Sequence, residues 1–430
     1  MSISRRQLLW SGAAASLATM LPWGRRTGRA ETVGPRKNLI ILLAFGGWDT
    51  SYSIDPKPVG GGVDAPAGTI VSYGGIDILE DISRPAIGDY FQQYAAITAV
   101  VRGIHMPSVA HEACVRSILT GARNESSADL ASIVAHEHGN DLPIPYLVLG
   151  NNAFAGPYAS SMGRVGATNQ LVGLLDPSSS YPVIGATRES TFVPTASDES
   201  YLRAYTVARA EREKATRGAT GYNRRRVDDF IGSLSRGDRL RALRGGLGTR
   251  GTLLDLPAQR QLALDALQTG VSRTVMLSSG QNFDTHEVNV NQGSAQRILF
   301  ENVIDLIDAL QARPGNQSGS TMLDETIVLV LSEMGRTPQL NTAQPNPGKD
   351  HWPVTSALVI GTDIRGGMAY GGTSSTGEAE LVDLDTGAIG TGPSHRSLEP
   401  RHFAAGVLLA CGVDPAAYLP ESEVFRAFIA

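Results

Sequence analysis

Asp49, Asp284, His286, Glu333, Asp350 and His351 stand in four short clusters of metal-ligating residue types: Gly46-Gly47-Trp48-Asp49, Phe283-Asp284-Thr285-His286, Ser332-Glu333-Met334-Gly335-Arg336 and Gly348-Lys349-Asp350-His351-Trp352. Carboxylates mixed with imidazoles suit zinc first, manganese or iron next, and calcium or magnesium less well. A divalent ion held by such a set would polarise a phosphoryl or sulfuryl oxygen and acidify water, which is the chemistry of ester hydrolysis. Taken singly, each cluster also has an ordinary structural explanation. Asp49 suits a helix cap, Glu333 suits a salt bridge to Arg336, and Asp284 and His286 suit a shared turn. Arg336 and Lys349 sit beside the proposed ligands, so they are candidates for binding the oxygens of an oxyanion or for pairing with Glu333 or Asp350.

What joins the clusters is their place after apolar runs. Asn38 to Phe45 is a continuous apolar stretch stopped by Gly46-Gly47, the pattern of a strand buried on both faces of a parallel sheet. Similar runs recur at Ala95 to Val101, Pro145 to Leu149, Thr274 to Leu277, Thr326 to Leu331 and Ser356 to Ile360. Helical patterns lie between them at Glu112 to Leu119, Asp129 to His138 and Ala295 to Leu310. Strands alternating with helices predict a doubly wound α/β core, and such sheets bind ligands beyond the carboxyl ends of their strands. Three clusters follow a run directly or after a short loop, and the fourth precedes one. Two glycine-rich stretches, Val59 to Gly75 and Gly371 to Gly392, read as long loops or small hairpins on the ligand side.

Composition narrows the class further. The chain has 430 residues, 42% hydrophobic and 18% charged, with two cysteines and a formal net charge of −5. It is too apolar for a disordered protein, too poor in cysteine for a disulfide scaffold, and too acidic overall to predict nucleic-acid binding. The first 30 residues differ from the rest. Ser4-Arg5-Arg6-Gln7-Leu8-Leu9, an apolar stretch to Leu21 and Gly28-Arg29-Ala30 read as a twin-arginine export signal cut after Ala30, hence a periplasmic or secreted protein. Its run of about 14 apolar residues is short for a membrane-spanning helix, and no other segment comes closer. An exported chain is free to form a Cys114–Cys411 disulfide, although two buried thiols is the plainer reading.

Without residues 1–30, which hold five arginines and no acid, the chain has 32 basic and 42 acidic residues, net −10. A helical insertion expected over about 199–270 is unlike its surroundings. Residues 201–250 carry 13 Lys and Arg against five Asp and Glu, net +8, which leaves −18 for the remainder. Its arginines suit a solvated face or a basic cap that attracts an anionic ligand or a protein partner.

The order GGWD, FDTH, LSEMGRTP and GKDHWP resembles the domain-of-unknown-function 1501 family, a branch of the alkaline phosphatase and sulfatase superfamily, over nearly all of residues 31–430. The resemblance implies an alkaline phosphatase-like α/β/α sandwich with a mostly parallel central sheet and a metal centre at the strands' carboxyl ends. By the same resemblance Asp49 matches the first-strand ligand, Asp284 and His286 a second pair, Glu333 a metal-binding Asp, and His351 a late histidine. Asp350 is then a ligand or the acceptor that orients His351. The implied function is an exported metal-dependent hydrolase of phosphate or sulfate esters, taking an anionic small-molecule or glycan ester and using a metal-bound water or an unconventional nucleophile, and the alternative is a non-catalytic metal-stabilised binding or partner protein.

Two positions depart from that pattern. Met334 stands where relatives have a ligating imidazole or amide, which puts a two-metal site in doubt. His111 stands nine residues before Thr120-Gly121, where sulfatases carry their nucleophile. His111 is open to three readings: a metal ligand, a nucleophile or general acid, or a mark of lost catalysis. His105 and Ser108 lie in the same loop and could join it. His136 and His138 read as surface residues, His395 as a loop residue able to approach the site, and His402 as structural.

Overall fold

A computed structural model describes residues 35–58, 60, 62–165, 171, 195–216, 221–247, 254–342 and 345–430. The proposed export signal lies outside them. Strand β1 (Asn38–Leu43) is fully buried along its length. That burial follows from its sequence, since Leu39, Ile41 and Leu43 enter one core while Ile40, Leu42 and Ala44 enter another. Two hydrophobic cores on opposite faces of one strand require a layer of helices on each side.

The strands that complete the sheet follow in chain order. A hairpin of β2 (Thr69–Tyr73) and β3 (Ile76–Glu80) forms a small sheet of its own. Main-sheet strands are β4 (Thr98–His105), β5 (Tyr146–Val148), β6 (Met162–Arg164), β7 (Thr274–Ser278) and β8 (Thr326–Leu331). Short β9 (Gly335–Arg336) and β10 (His351–Trp352) pair with each other, β11 (Val354–Ile360) and β12 (Met368–Tyr370) return to the sheet, and β13 (Val382–Asp383) pairs with β14 (His395–Arg396). The sheet has eight strands in the order β12-β4-β11-β8-β1-β7-β5-β6. Strand β11 runs antiparallel to both its neighbours, and every other pairing is parallel. The α/β class with a mostly parallel central sheet is therefore as expected.

Helices α1 (Ala86–Tyr94), α2 (His111–Thr120), α3 (Leu130–His138), α4 (Ala196–Ala215), α5 (Gly221–Ala242), α6 (Leu256–Gln268), α7 (Asn291–Ala312) and α8 (Pro400–Ala410) divide between the faces. Side chains of α2, α3 and α8 join the core of Leu39 and Ile41, and those of α1, α6 and α7 join the core of Ile40 and Leu42. Gly34–Ala430 form one compact unit.

The basic stretch is helical, but α6 at its end belongs to the core, with Leu262, Ala263, Leu264 and Ala266 buried. In α4 the one buried residue is Ala210. Several of the stretch's cations bond within it: Arg203 to Asp238, Lys214 to Asp228 at 2.5 Å and Arg241 to Asp238 at 2.9 Å. Two of these pairs, Arg203–Asp238 and Lys214–Asp228, join α4 to α5. No described helix is long and apolar enough to cross a membrane. Cys114 and Cys411 are separate, buried thiols.

Candidate metal centre

The loops after β1, β7 and β8 meet because Gly46 lets them. Gly46 has φ +118, and a Cβ there would lie 2.5 Å from the Asp284 amide nitrogen. A left-handed residue without a side chain is what brings the end of β1 against Phe283 and Asp284. The Gly46 N–H then donates to Glu333 Oε1 at 2.9 Å, fastening the loop after β8 to the same point. His111 opens α2, and His351 lies in β10, where it pairs across the ribbon with Arg336 of β9. Val288, two residues beyond His286, has φ +54. Its N–H donates to the Asn346 carbonyl, and Asn289 N–H to that of Pro347, so the 283–290 and 345–351 loops are laced together.

Three imidazoles share one arrangement here. Nδ1 of His111 lies 2.6 Å from Glu333 Oε1, Nδ1 of His286 is 2.9 Å from Asp350 Oδ1, and Nδ1 of His351 is 2.8 Å from the Val109 carbonyl. Each Nδ1 faces an acceptor, so each carries the proton and leaves the Nε2 lone pair free. The three Nε2 atoms turn toward Asp284. They stand 3.5 Å (His111), 3.2 Å (His286) and 3.3 Å (His351) from its carboxylate oxygens. His286 Nε2 and His351 Nε2 are 3.0 Å apart, and His111 Nε2 is buried without a hydrogen-bond partner. Donors bound to zinc at 2.0–2.1 Å in a tetrahedron are about 3.3 Å from one another, so these separations fit a divalent ion. Among the described residues, His111, Asp284 and His351 form a candidate ion-binding group, their ligand atoms all within 4.8 Å.

The residues behind this group are engaged with one another. Arg336 donates Nε to the Gly47 carbonyl at 2.9 Å and Nη1 to that of Lys349 at 3.0 Å, while Nη2 reaches the Gly46 carbonyl and Asp284 Oδ1. Lys349 is wholly buried and its Nζ lies 2.8 Å from Asp49 Oδ2. Asp49 also accepts from Ser51 and from Asn289 Nδ2 at 3.1 Å, and it caps the short helix after β1. Gln292 and Gln296 of α7, both fully buried, complete this region by bonding the Asp49 backbone.

Burial pushes the Asp284 carboxyl up, but the Arg336 guanidinium and the neighbouring imidazoles outweigh it and hold it near pH 2, below its ordinary 3.8. The hydrogen bond to Glu333 raises the His111 imidazole, against the opposing effect of burial. A carboxyl depressed on folding contributes stability above its unfolded pKa and loses it as pH falls through the folded one. In chelator-treated protein, the gap in urea midpoint between the native chain and Asp284→Asn is therefore expected to shrink as pH falls from about 4 to about 2. A gap that stays constant across that window contradicts the assignment.

The positions expected from sequence thus fall into two groups. Asp284, His286, His351 and His111 come together. Asp49 is instead occupied by Lys349, and Glu333 orients His111 through its Nδ1. Asp350 orients His286, while the Val109 carbonyl, which no residue type announces, orients His351. Arg336 and Lys349 point inward, because three backbone carbonyls and two carboxylates take their donors. Met334 is buried in the core. His138 is buried with Nε2 on the Cys411 carbonyl, contrary to a surface reading, and His136 stacks on Tyr158. His402 is buried in the α8 cap, His395 lies in β14, and His105 ends β4 beside a cavity lined by Arg123 and Arg401.

Residues 255–421 match the family model described as protein of unknown function, DUF1501. No curated protein matches the chain. Similar solved structures include a protein in the alkaline phosphatase superfamily from Vibrio parahaemolyticus, at 12% identity over 89% of this chain and 68% of that one, with a TM-score of 0.35. The lipoteichoic acid synthase LtaP from Listeria monocytogenes is 11% identical over 90% of this chain and 74% of its own, TM-score 0.37. The PsFucS1 sulfatase from Pseudoalteromonas sp. is 10% identical over 87% and 70%, TM-score 0.35.

Proposed function

For a chain whose residues 255–421 match the DUF1501 family model, we propose an exported metal-dependent hydrolase of phosphate or sulfate esters. The ion, zinc first, is held by His111, Asp284, His286 and His351. One observation carries this reading: three imidazoles have Nδ1 committed to fixed acceptors and Nε2 turned toward a single carboxylate. A divalent ion at such donors supplies Lewis-acid polarisation of an ester oxygen and acidifies water. The chain's residues keep the donors ready. Glu333, Asp350 and the Val109 carbonyl hold the Nδ1 protons, and Arg336 keeps Asp284 ionised. Lys349 neutralises Asp49 beneath them. We also propose the twin-arginine signal over residues 1–30 and a periplasmic or secreted location.

A second reading, a metal-stabilised binding protein, draws on the neighbouring hydroxyls. Ser108 Oγ accepts from Ala110 N–H, Thr285 Oγ1 donates to Asn289 and Ser332 Oγ donates to Glu333. None of these offers an activated nucleophile, so hydrolysis here depends on water as the attacking group. Elemental analysis of the purified chain, followed by assay of aryl phosphate and sulfate esters with and without a chelator, tests the proposal. Near one equivalent of metal with chelator-sensitive turnover is expected. Metal without turnover of any ester supports the binding protein, and absence of metal overturns both.

A further inference from the structure

We infer that the centre takes a singly charged ester whose other substituent is an apolar alkyl or aryl group lying against Phe45. This rests on the ester-hydrolase reading and adds its substrate class. Two independent features point to it. The first is exposed apolar surface close to the imidazoles in the chain or in space. Phe45 follows the fully buried β1 yet is 38% exposed, with its ring 5.0 Å from that of His111 and tilted by 36°. Val109, 45% exposed, is the residue whose carbonyl holds His351. Leu340, 41% exposed, adjoins Asn341, whose Nδ2 donates to the His286 carbonyl at 2.8 Å. Phe45 thus lies beside one imidazole of the centre, and the Val109 backbone and the neighbour of Leu340 are hydrogen-bonded to two other histidines of the centre. An apolar group in a ligand would remove this surface from water.

The second feature is charge. Around the imidazoles stand three carboxylates, Asp284, Asp350 and Glu333, and one guanidinium, Arg336. Asp49 and Lys349 neutralise each other. A divalent ion brings this local charge close to zero. Arg336 and Lys349 are turned inward and buried, so neither presents a cation to a ligand. Among the described residues bonded to the imidazoles and to Asp284, a doubly charged head group finds no second positive partner to replace its lost hydration, whereas a singly charged one is matched by the ion alone.

Calorimetric titration of the zinc-loaded full chain with unbranched alkylsulfonates, from methane- to hexanesulfonate, tests this without turnover. These probes are singly charged and resist hydrolysis. Affinity is expected to rise roughly two- to fourfold per added methylene over the first few carbons. Phe45→Leu should keep the dependence on length and Phe45→Ser should flatten it, and Val109→Ser should weaken it independently. Methylphosphonate as its dianion should bind no tighter than methanesulfonate. Zinc content is measured first in each variant. Failure to take up zinc overturns the metal reading and this inference together. Retained zinc with no dependence on chain length, or a dianion bound tenfold tighter, overturns the inference alone.

Discussion

Arg336→Met is expected to destabilise the metal-free protein by about 3–5 kcal/mol, the cost of removing one partner from a buried, charge-assisted network. The guanidinium donates to the carbonyls of Gly46, Gly47 and Lys349 and to Asp284. Methionine fills much of the same volume and donates to none of them. Three carbonyls lose their donor and Asp284 loses the charge that keeps its pKa low. Arg336→Lys should recover little, because one ammonium cannot reproduce a planar fork that serves four acceptors. Urea denaturation followed by fluorescence of the buried Trp48 measures the effect. A loss below about 1 kcal/mol, the level of an exposed ion pair, would show that Arg336 does not bear the network.

His351→Ala and Glu333→Gln are expected to separate a ligand from the group that orients one. Glu333→Gln keeps an acceptor for the Gly46 N–H but weakens the hold on His111 Nδ1. Zinc affinity should fall roughly 10- to 100-fold, as for other groups that orient a metal-bound histidine. His351→Ala removes a donor outright, so the loss should exceed the top of that range. Chelator competition reads both constants, and circular dichroism of the metal-free proteins checks that each variant folds. Equal affinities in all three proteins would exclude both assignments.

The fold was legible wherever a run had one environment along its whole length. Thr326 to Leu331 is a strand residue for residue, because all six side chains are buried and nothing competes with that pattern. Ala95 to Val101 placed β4 several residues too early, since Ala95 to Ile97 turn as a short helix before the strand begins. Within the site, Asp284, His286 and His351 were visible through residue type and position near strand ends. His111 stood out only against the family pattern. The partners of Nδ1 were harder to see. A backbone carbonyl such as that of Val109 carries no mark in the sequence, whereas Asp350, a ligand or an acceptor for His351 by residue type, in fact faces His286. Gln292 and Gln296 did carry a signal, as polar residues in register with buried Ala295 and Leu299 on α7. The inward turn of Arg336 and Lys349 depends on partners about 290 to 300 residues away in the chain. No local pattern encodes that.

The lacing of the loop at 283–290 to that at 345–351 bears on how the site is lost. A β-branched residue at φ +54 such as Val288 is held against its own preference, at a cost on the order of 1–3 kcal/mol, so it persists only while its neighbours impose it. What imposes it is the opposite loop, through Asn346 and Pro347. If either loop opens, the other loses its support. Asp284 and His286 then leave together with Asp350 and His351. The centre should therefore disassemble as one cooperative unit, with a single protection factor for the amides of both loops in hydrogen exchange. Asp284, His286 and His351, contributed by distant parts of the chain, then share one opening free energy.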